Sequence, residues 1–166
     1  MRDAARHQHN QDRLRELHPR FAAGVQALLD ELESEGWRPR IDQAWRSPEQ
    51  QRLAFECGHT LHRSGLHTRV TADGRPQAMA VDLVDDDAPH MPGRPFLLRL
   101  AAAAEAAGLV TGIRWGLPAA LARGIDDAIA HREWNAPVKI GWDPAHVQPR
   151  DTGAALARRG ARRGAA

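Results

Sequence analysis

Residues 77–85, QAMAVDLVD, form a short, mostly apolar run bounded by turn formers, and that pattern predicts a buried β-strand. One residue in the middle of it does not belong in a core. Asp82 is flanked by Val81 and Leu83, and a lone carboxylate is costly to bury unless it meets a cation or several hydrogen-bond donors. A metal ion, a pairing arginine, or a point where the strand leaves the core would each answer that cost. Before the strand, VTADGRPQ (70–77) carries an Asp-Gly turn, and after it MPGRP (91–95) is a loop.

Working towards the N-terminus, WRPRIDQAW (37–45) alternates enough for a second strand ending at Trp45. Ser47 then caps a helix with Pro48 in its first turn, and that helix carries Gln51, Leu53, Ala54 and Phe55. Upstream, Phe21, Val25, Leu28, Leu29 and Leu32 recur at three- and four-residue spacing. They predict a helix over Pro19–Glu35 that stops at Gly36. Working towards the C-terminus, Phe96–Ala107 is a helix stopped by Gly108, and Leu117–Ile129 holds one or two short helices. Strands are expected at Val138–Trp142 and at His146–Gln148. Helices and strands mix without regular βαβ repeats, so the fold class is α+β.

The 166 residues fit one domain, read here as 13–150. Residues 1–12 are polar and expected to fray, and 151–166 form a small, Arg-rich, Gly-broken tail expected to be disordered. The sequence pI of about 9.4 accompanies a net charge of only +2. Four arginines of the tail carry the excess; residues 1–150 hold 19 basic and 20 acidic side chains. A near-neutral body argues against nucleic-acid binding. There is no long apolar run for membrane insertion and no apolar leader, so the expectation is synthesis in the cytoplasm. The single cysteine, Cys57, excludes an internal disulfide and reads as a bystander rather than a nucleophile.

Two further segments carry chemical interest. In GWDPAHV (141–147), Asp143 stands three residues before His146 with Pro144 between them. Both side chains can face one side of a bend, although a capped turn explains the same letters. In WRSPEQQ (45–51), Arg46 falls where a strand ends and a helix starts. A guanidinium there could hold a carboxylate or a developing oxyanion, or simply face solvent. A catalytic zinc requires three protein ligands, an open position for water and a carboxylate to take the water's proton.

In this order, WRSPEQQ, LHTRVTADGRPQAMAVDLVD, IRWGLP (113–118) and IGWDPAHVQ (140–148) resemble the D-alanyl-D-alanine carboxypeptidase and L-alanyl-D-glutamate peptidase family, the VanY-type zinc peptidases that include phage endolysins. The opening HPRFAAGVQALLDELESEG (18–36) is similar to the family's first helix, so the resemblance covers 13–150. It implies a small central antiparallel sheet with helices packed around it and a zinc site in a cleft over the sheet. It implies Zn2+ ligands at His67, Asp82 and His146, a catalytic base at Asp143 and an oxyanion-stabilising cation at Arg46. Ser47, Gln51 and Trp115 match positions that support the site and bind substrate.

The chain departs from the pattern in places. Asp82 stands fifteen positions after His67, with TRVTADGRPQ as a hairpin-like insertion; Ala78 and Leu117 stand where glycines are common; His59 and His62 rival His67 as ligands. The activity implied is hydrolysis of an amide bond in the peptide stem or cross-link of peptidoglycan, by an endolysin-like endopeptidase or a D,D-carboxypeptidase. The competing reading is a non-catalytic zinc-binding module that recognises cell-wall peptides. The expected partners are peptidoglycan peptides, the expected state is a monomer, and release to the cell wall follows if the chain is an endolysin.

Overall fold

The structure is a computed structural model and describes residues 1–58, 60 and 62–151. The expected disordered tail, except Asp151, and the rival ligand His59 therefore lie outside the described residues.

Among the described residues there are five α-helices and one four-stranded antiparallel sheet, an α+β architecture. The helices are α1 (Asp3–Leu14), α2 (Pro19–Ser34), α3 (Pro48–Glu56), α4 (Arg94–Ala106) and α5 (Ala119–Ala130). The strands are β1 (Pro39–Gln43), β2 (Val81–Asp85), β3 (Leu109–Gly112) and β4 (Asp143–Pro149), in the order β1-β2-β4-β3. No described helix is long and apolar enough to cross a membrane.

Alternation along the strands and the apolar stripe of the helices bury a common core. Ile41, Leu83 and Val147 from the sheet meet Leu28 and Leu32 of α2 and Phe96, Leu98 and Leu100 of α4, all fully buried. Trp37 closes one side with its ring edge-on to Phe96, 5.6 Å between centroids. Pro19 in the first turn and left-handed Gly36 past the end frame α2 as its sequence predicts. Ser47 and Gln50 form a reciprocal capping box at the start of α3.

Two sequence expectations are corrected, and one strand is added. The N-terminus does not fray: α1 docks along β1, with Leu14 in the core. Buried Asn10 donates to the Pro39 carbonyl and accepts from the Ile41 amide, both at 2.9 Å. These bonds satisfy the outer edge of β1, and polar residues that look like a solvated end make specific buried pairs. Val138–Trp142 is not a strand; the strand starts at Asp143 and includes His146–Gln148. At Gly141 the carbonyls of Gly112 and Ile113 each lie 2.7 Å from where a Cβ would sit, so a side chain does not fit there. Finally, β3 follows Gly108 as a four-residue strand without clear alternation and gave no strand signal. In the insertion before β2, Val70 and Pro76 form an isolated antiparallel bridge, the hairpin-like form expected.

Candidate metal centre

Three segments meet over one end of the sheet. β2 and β4 are paired so that Asp82 stands directly opposite His146, and cross-strand partners share a face. His67 sits on a one-turn 3₁₀ helix, Leu66–Thr68, held against the sheet by hydrogen bonds from the Arg46 amide to the His67 carbonyl and from the Met79 amide to the Leu66 carbonyl, both 2.9 Å.

The hydrogen bonds of the two imidazoles fix which nitrogens point inward. His67 Nδ1 lies 2.6 Å from the Ala44 carbonyl, which can only accept, so Nδ1 carries the proton and Nε2 presents a lone pair. His146 Nε2 lies 3.2 Å from Gln148 Oε1, which by the same logic leaves Nδ1 as the lone-pair atom. These two lone pairs and Asp82 Oδ1 converge: His67 Nε2 to His146 Nδ1 is 3.4 Å, His146 Nδ1 to Asp82 Oδ1 is 3.2 Å, and His67 Nε2 to Asp82 Oδ1 is 3.5 Å. With both rings neutral in these tautomers, three electron-pair donors face one another, an arrangement that a bound cation would satisfy. The group is close enough to form a metal site, with its donor atoms all within 4.8 Å of one another. Two imidazole nitrogens and one carboxylate oxygen are the donor chemistry of a catalytic zinc, so these residues fit that ion.

Charge is distributed to match. Burial pushes the Asp82 carboxyl upward, but with the imidazoles protonated instead of metal-bound, hydrogen bonds and charge from His146 and His67 overcome it and hold Asp82 well below the usual carboxylate range. Arg46 Nη2 reaches Asp82 Oδ2 at 3.3 Å and leaves Oδ1 for the imidazoles. Two of the answers open for Asp82, a cation site and an arginine pair, therefore coexist on its two oxygens. Burial lowers His146, yet the Asp82 hydrogen bond and charge, with Asp143 beside them, leave it above its ordinary value. Asp143 Oδ2 lies 3.9 Å from His146 Nδ1. Burial and then the charge of Asp82 raise the Asp143 carboxyl, partly offset by His146, His67 and Arg46.

Asp143 owes its place to a register shift: β3 and β4 slip between Thr111 and Gly112, pairing Gly112 with Asp143. The Asp143 carbonyl lies 2.1 Å from where a Cβ on residue 112 would stand, so only glycine fits.

The cleft in front of the donors is about 410 Å³. His67, Asp82, His146, Asp143, Arg46, Gln51 and Trp115 all line it, seven of the eight residues singled out in the sequence. Ser47 is not among the lining residues; its hydroxyl accepts from the Gln50 amide at 3.1 Å and its work is to cap α3. Gln51 is buried and its Nε2 donates to the His62 carbonyl at 2.6 Å. His62 lines the cleft but does not join the donor group. Trp115 packs against the His146 ring, 5.2 Å between centroids, and against Trp142 at 5.5 Å. Sequence reasoning passed over Trp142 and Gln148. Gln148 was within reach, since two residues after His146 on a strand is the same face. Cys57 is exposed and away from the cleft lining.

Comparison with known proteins adds the fold. No family model matches the chain, and no curated protein matches it in sequence. Among solved structures, the Serratia marcescens L-Ala D-Glu endopeptidase ChiX matches with a TM-score of 0.55 at 17% identity, over 88% of this chain and 90% of that one. Looser matches are VanYB in complex with D-alanine-D-alanine, TM-score 0.46 at 17% identity over 85% and 76% of the two chains, and the LdcB LD-carboxypeptidase, 0.46 at 14% over 87% and 64%. The overlap with ChiX spans nearly the whole of both chains, and the chain therefore shares the fold of that protein.

Proposed function

We propose that this chain is a zinc-dependent peptidase that hydrolyses an amide bond in the peptide stem or cross-link of bacterial peptidoglycan, as an endolysin-like endopeptidase or a D,D-carboxypeptidase. One observation carries the reading: His67 Nε2, His146 Nδ1 and Asp82 Oδ1 converge within 4.8 Å with lone pairs facing inward, next to a half-exposed carboxylate at an open cleft. The fold is shared with a protein named as an L-Ala D-Glu endopeptidase, which supports the same class of substrate here.

Zinc, when bound, would lower the pKa of water towards about 7 and polarise a carbonyl. The chain's own residues do the rest. Asp143, beside the donors but not needed to complete them, takes the proton from the attacking water and passes it to the departing amine. A raised carboxyl suits that exchange, because its basicity is closer to that of the groups it serves. Arg46, fixed by Asp82, presents the rest of its guanidinium to the cleft and stabilises the negative charge that grows on the carbonyl oxygen. Trp115 supplies an apolar wall against which a small side chain of the substrate can lie, and buried Gln51 also lines the cleft.

Purified peptidoglycan digested by zinc-loaded protein and analysed by mass spectrometry tests this reading. The wild type is expected to release stem-peptide or cross-link fragments that Asp143→Ala does not release. A zinc-loaded wild type that releases no fragment would instead support the non-catalytic zinc-binding module.

A further inference from the structure

The corner between α1 and α2 touches the metal centre through a single peptide group. Glu16 Oε2 accepts a hydrogen bond from the Trp45 amide at 3.0 Å. That N–H belongs to the same planar unit as the Ala44 carbonyl, and the Ala44 carbonyl accepts from His67 Nδ1 at 2.6 Å. The chain of contacts runs from the Glu16 carboxylate, across the Ala44–Trp45 peptide, to the imidazole whose other nitrogen faces the donor group. The corner is itself pinned: the Ala78 amide donates to the Glu16 carbonyl, the His18 amide donates to the Ala78 carbonyl, both at 2.9 Å, and Leu17 bridges Ala78.

We propose that Glu16 is a positioning residue for the metal centre. Its negative charge polarises the Ala44–Trp45 peptide, strengthens the Ala44 carbonyl as an acceptor for His67 Nδ1–H, and thereby fixes the ring and improves Nε2 as a ligand. Carboxylates commonly do this by bonding a ligating histidine directly; here a backbone peptide is interposed. Hydrogen bonds in a chain reinforce one another, and a carboxylate is a stronger acceptor for the Trp45 N–H than a neutral group. The other partner of the carboxylate is Arg13, whose Nη1 lies 2.9 Å from Oε1 and which draws off part of the charge. Glu16 is only partly exposed, so the charge is not fully dispersed into water. The inference rests on His67 being a zinc ligand, as in the proposed function.

Zinc affinity measured by competition with a chromophoric chelator separates the possibilities. Wild-type protein that takes up no zinc would defeat the proposed function before any variant is compared. If it binds, Glu16→Gln keeps a hydrogen-bond acceptor of the same shape without the charge, and its Kd for zinc is expected to be weaker by roughly tenfold, in the range seen for partners of metal-bound histidines. Arg13→Met, which leaves the charge of Glu16 unshared, should bind zinc as tightly as the wild type or more tightly. A Glu16→Gln variant with wild-type zinc affinity overturns the inference. So does an equal loss in both variants, the signature of a corner that is merely structural.

Discussion

In the proposed mechanism Asp143 is needed for chemistry, and its ionised form is unfavourable for the metal-free fold. Its carboxyl is raised by burial and by the charge of Asp82. With a folded-state pKa above the unfolded value, the ionised form costs stability; the cost is absent below the unfolded pKa and full above the folded one. Asp143→Asn should therefore raise the melting temperature of chelator-treated protein at pH 7, and the gain should shrink as pH falls into the carboxylate range. The same substitution should lower the rate by about 10²–10⁴-fold while zinc stays bound. Loss of both zinc and stability in this variant would show Asp143 to be a ligand instead. His146 works in the other direction. Its pKa is raised by Asp82 and Asp143 against the pull of burial, so protons compete with metal at higher pH than at an ordinary histidine. Chelator competition between pH 8 and pH 5 should show zinc affinity falling as pH drops through the raised value, and a flat profile would contradict that assignment. At this scale the sequence was informative because Asp82 sits visibly out of place among apolar neighbours, and motif order supplied the histidines. Glu16 was not legible. Its contact with the Trp45 amide joins residues 29 apart and leaves no local pattern.

The elements that were read correctly are those whose signal is local and repeated. The stripe of α2, the cap of α3 and the apolar run of β2 each state their structure in their own letters. Those missed depend on their partners. β3 is four residues long and becomes a strand only by pairing with β4. β4 carries Pro144 and Pro149, which argue against a central strand; yet only Val147 and His146 pair with β2, so neither ring interrupts that ladder. Helix α1 is polar enough to pass for a frayed end, but Asn10 completes the edge of β1 with two hydrogen bonds. Removing both should leave a buried donor and a buried acceptor unmet. Asn10→Ala is therefore expected to cost about 2–4 kcal/mol in urea unfolding, whereas a change under 0.5 kcal/mol would place α1 outside the cooperative unit.

Across the molecule, the centre is assembled from parts distant in sequence. The 3₁₀ turn brings His67, β2 brings Asp82, β4 brings His146 and Asp143, and the end of β1 brings Arg46 and the Ala44 carbonyl. No one segment holds the site, which is why spacing alone left metal, ion pair and turn as open readings of the same letters. It also means that a bound ion ties the sheet to the turn and to the strand end. A ligand that binds only the folded state stabilises it by about 4 kcal/mol at a thousandfold excess over Kd, so zinc should raise the melting temperature and a chelator should reverse the rise. The most direct test is the zinc-to-protein ratio read by native mass spectrometry on folded samples. One zinc per chain is expected in the wild type and in Asp143→Asn, and none in Asp82→Ala or His146→Ala. A folded wild type that carries no zinc at saturating metal would contradict the assignment of His67, Asp82 and His146 as ligands.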